Sequence, residues 1–207
     1  MNADDFIQKT GVSRETFEKF QLYADMLEKW QKSINLVSNS TLSDKWRRHF
    51  YDSAQLMEHI KTSDKALKIL DLGSGAGFPG LVISLLGAGE VHLVEGVGKK
   101  CSFMKQVVQK TNMNAIVHNE RIEQMVVFPV DLITSRACAD LDKLLELTFP
   151  FMTDYTECLF LKGEKSGDEI KHASKKWCFD IKKIPSKSEE SGMILHLSNI
   201  KKNNKDV

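Results

Sequence analysis

The stretch of sequence that decides the fold is Leu70-Asp71-Leu72-Gly73-Ser74-Gly75-Ala76-Gly77-Phe78-Pro79-Gly80. An apolar run at 67–72 leads into it and a helical pattern at 79–87 follows it, so it connects a strand to a helix. Its glycines let the backbone turn tightly and approach a ligand closely. Four glycines in eight residues would sacrifice backbone entropy for nothing in a plain turn, so we predict a ligand-binding loop.

The same alternation of strands and helices continues along the chain after residue 65. We predict strands at 67–72, 91–95, 115–118, 130–135, 156–162, 177–184 and 192–198, and helices at 79–87, 98–112, 140–150 and 166–176. Strands that alternate with helices form a parallel sheet covered on both faces. Only a polar turn separates the last two strands, which predicts a terminal antiparallel hairpin. The predicted fold class is α/β, a Rossmann-like class I methyltransferase fold with a seven-stranded, mostly parallel sheet.

Residues 1–64 are predicted to form an N-terminal helical extension, followed by the sheet domain at 65–207. Ser13 is a suitable N-cap, and the residues after it place apolar side chains three or four apart, on one helical face. A second helix is predicted to begin near Thr41, because Asp44 three residues later completes a capping-box pattern. A polar segment at the boundary of the two parts is the predicted hinge.

Composition limits the classes of protein that the chain can represent. It has 207 residues, and 29 Lys and Arg against 28 Asp and Glu give a formal net charge of +1, so only local charge can indicate a nucleic-acid partner. Cys101, Cys138, Cys158 and Cys178 lack metal-ligand spacing, and we expect buried reduced thiols and no metal. No apolar run approaches the ~20 residues of a membrane span. We therefore expect a cytoplasmic monomer that makes no membrane contact.

The glycine loop matches the pattern of more than one cofactor. Gly75, Gly77 and Gly80 satisfy G-x-G-x-x-G, and Glu95 stands 20 residues beyond Gly75. That spacing is typical of dinucleotide sites, in which the acid binds a ribose. An NAD-dependent oxidoreductase is therefore one alternative, although the chain shows no second substrate domain.

Two details favour S-adenosylmethionine over NAD. Gly73 stands directly after the strand, so the frame reads D-x-G-x-G-x-G and begins at Asp71. A carboxylate at the carboxyl end of a strand suits a cation with an α-amino group and a sulfonium better than a pyrophosphate. Glu95 can accept hydrogen bonds from the ribose hydroxyls of either cofactor. We therefore predict that Asp71, Gly73, Gly75 and Glu95 bind S-adenosylmethionine.

The fourth predicted strand places Ser135 and Arg136 at its carboxyl end, and these are the predicted catalytic residues. The chain lacks the Asn/Asp-Pro-Pro-aromatic motif of enzymes that methylate exocyclic amines, and Cys138 lacks the context of a pyrimidine-attacking nucleophile. The simplest target is then an atom with a free lone pair, such as guanine N7, which needs proximity but no general base. Arg136 is predicted to pair with a base acceptor or a phosphate. The alternative is a salt bridge that closes the edge of the sheet.

The sequence resembles a known family, the bacterial 16S rRNA guanine-N7 methyltransferases (RsmG or GidB). The resemblance spans roughly residues 20–200. It is carried by the loop above and by Lys29-Trp30-Gln31-Lys32-Ser33-Ile34-Asn35-Leu36, Arg48-His49-Phe50-Tyr51-Asp52-Ser53, Gly98-Lys99-Lys100-Cys101-Ser102-Phe103, Arg121-Ile122-Glu123, Ser135-Arg136-Ala137 and Leu161-Lys162-Gly163. Each piece alone is modest, whereas their order and spacing together are specific.

The resemblance implies methylation of one guanine in the 530-loop region of 16S rRNA, with S-adenosylmethionine as cofactor. It also implies that Gly73, Phe78, Ile122, Glu123 and Arg136 contact that cofactor, with the adenine ring near Ile122 and Glu123. A ribosome-assembly module that binds the particle without turnover is the remaining alternative.

A local basic face is the predicted contact with RNA, and it lies in the extension and at the sheet edge. Five basic residues and one acidic residue stand between positions 29 and 50, interleaved with aromatic residues. Such a face can hold phosphates and stack bases, although tryptophans at helical spacing are more often core residues. The predicted RNA-binding residues are Lys32, Arg47, Arg48, His49, Lys100 and Lys162.

Overall fold

The chain folds around one sheet, as shown by a computed structural model that describes residues 1–61 and 65–203. The helices before the sheet are α1 (Ala3–Thr10), α2 (Arg14–Gln31), α3 (Asn39–Leu42), a π-helix (Trp46–Tyr51), α4 (Asp52–Ala54) and a 3-10 helix (Gln55–His59). The strands are β1 (Leu67–Leu72), β2 (Gly89–Val94), β3 (Ala115–His118), β4 (Leu132–Arg136), β5 (Glu157–Lys162), β6 (Trp177–Pro185) and β7 (Met193–Lys202). The helices between them are α5 (Gly80–Leu85), α6 (Gly98–Thr111), α7 (Leu141–Thr148) and α8 (Ser166–Ala173), with 3-10 turns at Ile122–Gln124 and Phe149–Phe151.

The seven described strands lie in the order β3-β2-β1-β4-β5-β7-β6. The pairs among β1 to β5 are parallel, whereas β7 runs antiparallel to both β5 and β6. The predicted mostly parallel sheet and its terminal antiparallel hairpin are therefore confirmed. The last strand of the sequence lies between β5 and β6, so β6 forms the edge of the sheet.

Apolar side chains cover both faces of the sheet. Successive residues of a strand point to opposite faces, and Ile69 and Leu70 accordingly belong to two different apolar clusters. On one face, Phe20 and Phe50 from the N-terminal helices pack together with α5 and α6. On the other face, α7 and α8 supply residues such as Leu144. The N-terminal helices therefore share a core with the sheet.

The boundary between extension and sheet domain at residue 64 stays a prediction. Residues 62–64, which form most of the predicted hinge, lie outside the described residues. The predicted start of the first long helix is confirmed, because the Ser13 hydroxyl accepts a hydrogen bond from the Thr16 N–H at 3.2 Å. Both structure and sequence thus place α2 directly after an extended N-cap residue.

The predicted second helix, which was to begin near Thr41, is wrong in its boundaries. Helix α3 already begins at Asn39, and a separate π-helix follows at Trp46–Tyr51. The carboxylate of Asp44 does not close a capping box, because it accepts a hydrogen bond from Arg47 Nε at 2.6 Å. Local capping signals failed here because the packing of Trp46 and Phe50 into the core fixes these short helices.

The four cysteines divide into two groups. Cys101 and Cys158 are buried as predicted, whereas Cys138 and Cys178 are exposed, so the prediction of buried thiols is wrong for those two. No described helix combines the length and the apolar composition that crossing a membrane requires. Within residues 1–61 and 65–203, no group of three His, Cys, Asp or Glu side chains is arranged to hold a metal ion.

Candidate active site

A cavity of about 1050 Å³ opens at the carboxyl ends of the parallel strands, between the sheet and the N-terminal helices. The structure brings most of the predicted site residues into its wall: Arg48, His49, Gly73, Gly75, Phe78, Glu95, Lys100, Ile122, Glu123, Arg136 and Lys162. The predicted residues outside this wall are Lys32, Arg47, Asp71 and Ser135. Predicted cofactor-binding and RNA-binding residues therefore meet in one cavity.

The glycine loop forms the floor of the cavity. Gly73 has φ +67°, and a Cβ added to it would lie 2.8 Å from the Cys138 Cβ, so both conformation and space require glycine. Gly75 also has positive φ (+58°), and its N–H donates to Glu95 Oε2 at 2.9 Å. The loop backbone thus lies directly against the ligand space.

Glu95, one residue beyond β2, is held by the backbone on both of its oxygens. Oε2 accepts from the Gly75 N–H and Oε1 accepts from the Val97 N–H at 2.8 Å. Each carboxylate oxygen can accept more than one hydrogen bond, so both can still accept from the vicinal hydroxyls of a ribose. The geometry fits the predicted role of Glu95.

The structure places Asp71 elsewhere than predicted, beneath the loop and away from the cavity wall. It is fully buried, and its carboxylate accepts from Thr134 Oγ1 at 2.8 Å and from the Gly80 N–H at 3.2 Å. Burial raises the pKa of Asp71 to about 6, although hydrogen bonds from Ser74, Thr134 and Gly80 oppose the shift. Asp71 therefore holds the loop in place from beneath, and its contact with a cofactor stays a prediction.

The polar groups of Ser135 and Lys162 likewise make hydrogen bonds within the protein. The buried Ser135 hydroxyl donates to the Leu72 carbonyl at 2.8 Å and so links β4 to β1. This position gives Ser135 a structural contact and offers no support for the predicted catalytic one. The Lys162 ammonium donates to the Ala139 carbonyl at 2.5 Å and pairs with Glu169 at 2.7 Å. With its side chain 5% exposed, Lys162 is a poor partner for an RNA phosphate.

Arg136 stands where the loop and the N-terminal helices meet. Its Nη1 donates to the Arg48 carbonyl at 3.1 Å and to Asp52 Oδ2 at 3.3 Å, and its guanidinium carbon lies 5.0 Å from the centre of the Phe78 ring. The predicted alternative, a salt bridge at the sheet edge, is therefore present. This salt bridge also fixes the orientation of the guanidinium. The group has five N–H donors in a rigid plane, and the two on Nη1 make the bonds to Arg48 and Asp52.

His49 is buried in the cavity wall beside Arg136, and its ring packs at a tilt against Phe78, with 5.1 Å between the ring centres. Desolvation lowers the pKa of His49 to about 3, and the positive charges of Arg136 and Arg48 add to the effect. The imidazole is therefore neutral at physiological pH. His49 lies inside the cavity wall against Phe78, whereas a residue that binds RNA phosphates would lie on the surface.

Of the remaining predicted RNA contacts in the N-terminal helices, only Arg48 lines the cavity. Lys32 is exposed at the end of α2, and Arg47 is exposed and paired with Asp44. Arg48 pairs with Glu189 at 2.8 Å, between the π-helix and the loop that joins β6 to β7. Trp46, one of the aromatic residues interleaved with these cations, is a core residue, as the helical spacing of the tryptophans favours.

Ile122 and Glu123 lie in the 3-10 turn after β3 and line the cavity beyond Glu95. Composition and periodicity gave no signal for them, and only the resemblance to a family did. The residues that sequence reasoning missed are Tyr23 and Asp52. Tyr23 stands in the apolar stripe of α2 and Asp52 in a helical segment, so both match the pattern of ordinary helix residues.

The structure also bears on the dinucleotide alternative. A pyrophosphate needs free N–H groups at the start of the helix after the loop. Here the Gly80 N–H donates to Asp71, the Leu81 N–H to the Gly77 carbonyl and the Val82 N–H to the Pro79 carbonyl. The first amides of α5 are thus already paired, and a buried carboxylate stands among them.

Solved structures share this fold. A ribosomal protein L11 methylase from Lactobacillus delbrueckii subsp. bulgaricus matches with a TM-score of 0.59 at 16% identity, covering 72% of this chain and 76% of that one. A SAM-dependent methyltransferase from Aquifex aeolicus matches with a TM-score of 0.58 at 13% identity, covering 84% and 97%. The fold is that of the class I S-adenosylmethionine-dependent methyltransferases.

Sequence relatives narrow this class. The family model "GidB: rRNA small subunit methyltransferase G" matches residues 16–195. Proteins named ribosomal RNA small subunit methyltransferase G are 46% identical in Paramagnetospirillum magneticum, over 97% of both chains, and 45% identical in Rhodospirillum rubrum, over 97% of this chain and 98% of that one. The chain belongs to the rRNA small subunit methyltransferase G family, and it is an S-adenosylmethionine-dependent methyltransferase.

Proposed function

We propose that the protein transfers a methyl group from S-adenosylmethionine to N7 of a guanine in the 530-loop region of 16S rRNA, within the small ribosomal subunit. Family membership supports the RNA substrate. The observation that carries the proposal is the position of Arg136, which lines the cavity and is anchored by the N-terminal helices at Arg48 and Asp52.

The cofactor fits the residues that line the cavity. The loop at Gly73 and Gly75 lets a ligand lie against the backbone, Glu95 would hold the ribose, and Ile122 and Glu123 would flank the adenine. S-adenosylmethionine supplies an electrophilic methyl group on a sulfonium when it is bound. Residues of this chain then need to hold the two reactants in line and keep water out.

Guanine N7 suits this site because it carries a lone pair and no proton, so no general base is required. A covalent route is disfavoured for Cys138, the exposed thiol beside Gly73. Partial burial raises the pKa of the Cys138 thiol, and the carboxylates of Asp71 and Glu95 raise it further. The thiol therefore stays protonated at neutral pH and is a weak nucleophile.

The N-terminal extension is proposed to face the RNA. Lys32, Arg47 and Arg48 would contact phosphates on its surface, and Lys100 would do so at the cavity rim. These contacts compensate for a net charge of only +1. We propose that the protein acts as a monomer in the cytoplasm, where small subunits are found.

The test is methyl transfer from labelled cofactor to small subunits that lack the native modification, with the product mapped by N7-directed cleavage. Wild-type protein should label one guanine. Arg136→Ala should lower kcat/KM by about 100-fold, since a charged donor to the base and the anchor of the cavity wall are both lost. Arg14→Ala, which removes an exposed cation of α2, is the control and should retain wild-type activity.

Two results would contradict the proposal. Full activity of Arg136→Ala would show that the reaction occurs elsewhere. Particle binding without any methyl transfer by the wild-type protein would favour the assembly module over the enzyme.

A further inference from the structure

His49 contains a buried polar atom that the protein does not satisfy. The residue is 7% exposed and lines the cavity from the π-helix, a local geometry that is frequent at functional sites. Among the described residues, its Nδ1 is the one buried side-chain nitrogen or oxygen without a hydrogen-bond partner. Because an unpaired buried polar atom costs free energy, such an atom in a ligand cavity points to a partner on the ligand.

The hydrogen bonds of the other ring nitrogen determine what Nδ1 can do. Nε2 of His49 lies 2.9 Å from Thr41 Oγ1, and the Thr41 hydroxyl donates its only proton to the Ser38 carbonyl at 2.8 Å. Thr41 must therefore accept from His49, which places the imidazole proton on Nε2. Nδ1 then carries a lone pair and is an acceptor.

The ring keeps this tautomer over the working pH range. Protonation of Nδ1 would turn the acceptor into a donor, but burial and the nearby cations of Arg136 and Arg48 lower the pKa of His49 to about 3. The cavity wall thus presents a fixed acceptor. It cannot bind a phosphate, which is itself an acceptor.

A fixed donor lies next to this acceptor. Arg136 donates to the carbonyl of Arg48, the residue that precedes His49, and the His49 ring and the Arg136 guanidinium each lie about 5 Å from the Phe78 ring. Guanine presents an acceptor and a donor side by side, O6 and N1–H, whereas adenine presents a donor and an acceptor in the reverse order. A paired donor and acceptor in the protein match the guanine edge and oppose the adenine edge.

We infer that His49 determines base specificity, with Nδ1 accepting a hydrogen bond from N1–H of the target guanine while Arg136 donates to O6. This inference rests on the proposed function, because it needs a guanine in the cavity. It makes the predicted RNA contact of His49 a contact with the base itself.

Two substitutions separate the two nitrogens of His49. His49→Gln can keep the bond to Thr41 and lose the acceptor at Nδ1, whereas His49→Asn can keep an acceptor at the Nδ1 position and lose the bond to Thr41. In single-turnover assays on small subunits, His49→Gln should transfer methyl about 10- to 100-fold more slowly than wild type, as a lost base contact predicts. His49→Asn should be at least fivefold faster than His49→Gln. Thermal melting and S-adenosylmethionine titration check that both variants fold and bind cofactor.

A modified substrate provides a readout that a purely structural role would not change. Small subunits are reconstituted with 16S rRNA that carries 1-methylguanosine at the target position, which removes N1–H and keeps O6 and N7. Wild type should be at least tenfold slower on this substrate than on guanosine. His49→Gln should differ by less than threefold between the two substrates, because its contact with N1 is already lost.

The outcomes distinguish failure of the inference from failure of the proposed function. No methyl transfer by wild type to guanosine-containing subunits overturns the proposed function, and the inference with it. Wild-type activity that is equal on guanosine and 1-methylguanosine overturns the inference and leaves the proposed function standing. The inference is also overturned if His49→Gln transfers methyl as fast as wild type. It is overturned as well if His49→Gln, like wild type, is tenfold slower on 1-methylguanosine than on guanosine.

Discussion

Asp71 carries a charge that its surroundings disfavour, even though hydrogen bonds from Ser74, Thr134 and Gly80 stabilise that charge. Burial raises the pKa of its carboxyl group to about 6, compared with about 3.9 in an unfolded chain. A raised pKa in the folded state means that the contribution of Asp71 to stability is complete below pH 4 and is lost as the pH rises through 6. At about 1.36 kcal/mol per pKa unit, the loss is about 3 kcal/mol.

We predict that this pH dependence disappears in Asp71→Asn, which cannot ionise. The free energy of unfolding of wild type, measured relative to the variant by urea denaturation, should fall by about 2 of these 3 kcal/mol between pH 4 and pH 7, since the unfolded carboxyl group is already half ionised near pH 4. Ser135→Ala is the control, since it removes a buried hydrogen bond to Leu72 without any titration. Its difference from wild type should not change with pH. Parallel pH profiles of wild type and Asp71→Asn would exclude a raised pKa.

Sequence reasoning placed Asp71, Ser135 and Glu95 at strand ends, and all three stand there. It did not determine which of them face the cavity. The β1–β4 register opposes Asp71 to Thr134 and Leu72 to Ser135, across 63 residues of sequence, and this pairing occupies the Asp71 carboxylate and the Ser135 hydroxyl. Pairing at such a separation leaves no local signal, whereas Glu95 belongs to the next strand end and is bound by neighbouring amides.

At the scale of elements, α2 supports the cofactor loop from outside the sheet. The fully buried Tyr23 hydroxyl donates to the Ala76 carbonyl at 2.5 Å, and its ring stacks on Phe78 with 5.3 Å between the ring centres. Burial raises the pKa of Tyr23 well above its usual value, so the hydroxyl keeps its proton and remains a donor. A helix of the extension thereby fixes the loop that is proposed to bind the cofactor.

Tyr23→Phe should therefore affect both stability and cofactor binding. The Ala76 carbonyl would lose its donor, and the free energy of unfolding should fall by about 1–3 kcal/mol. The dissociation constant for S-adenosylmethionine, measured by calorimetry, should rise at least threefold because the loop is less constrained. Tyr155→Phe, at a position that is 90% exposed, should change neither quantity. An unchanged dissociation constant in Tyr23→Phe would separate α2 from the binding loop.

The elements of the sheet domain could be predicted because their signals are local. The strands are short apolar runs that glycines or polar residues end, so β1 and β3 have the predicted bounds. The segment between α2 and β1 has no such periodicity. Its short helices form because Trp46, Phe50 and Leu56 pack into the core, and capping signals could not locate them.

At the scale of the whole molecule, Asp52 connects three parts of the chain. Its carboxylate accepts hydrogen bonds from Arg136 at the end of β4, from Gln55 within the N-terminal helices, and from Ser186 and Ser188 after β6. The Asp52 side chain is 14% exposed, so water screens these contacts only in part. The N-terminal helices, the sheet and the C-terminal hairpin are thus joined at the wall of the cavity.

Replacing Asp52 by Asn should weaken this junction. We expect a loss of about 2 kcal/mol in the free energy of unfolding, because hydrogen bonds to a charged group are lost. Methyl transfer should fall at least tenfold, since Arg136 loses an anchor. The control is Glu58→Gln, which removes an exposed ion pair with Lys187 between the N-terminal helices and the C-terminal hairpin. It should lower the free energy of unfolding by less than about 0.5 kcal/mol. Equal effects of the two substitutions would contradict a specific role for Asp52.

The order of the last strands was not predictable from the sequence. The polar turn between them predicts a hairpin, and it is present, but either strand of a hairpin can pair with β5. The burial pattern decides between them: Ile194, Leu195 and Leu197 of β7 are buried, whereas every residue of β6 after Trp177 is exposed or partly buried. A strand with neighbours on both sides needs the more apolar sequence.

The insertion of β7 between β5 and β6 has a consequence for synthesis of the protein. As the chain leaves the ribosome, β6 emerges before the strand through which it joins the sheet. Until residues 193–202 emerge, β5 presents an unpaired backbone edge beside apolar side chains, and such edges invite pairing with other chains. The nascent protein is therefore most exposed to aggregation, and most in need of a chaperone, in the interval between translation of β5 and release of β7.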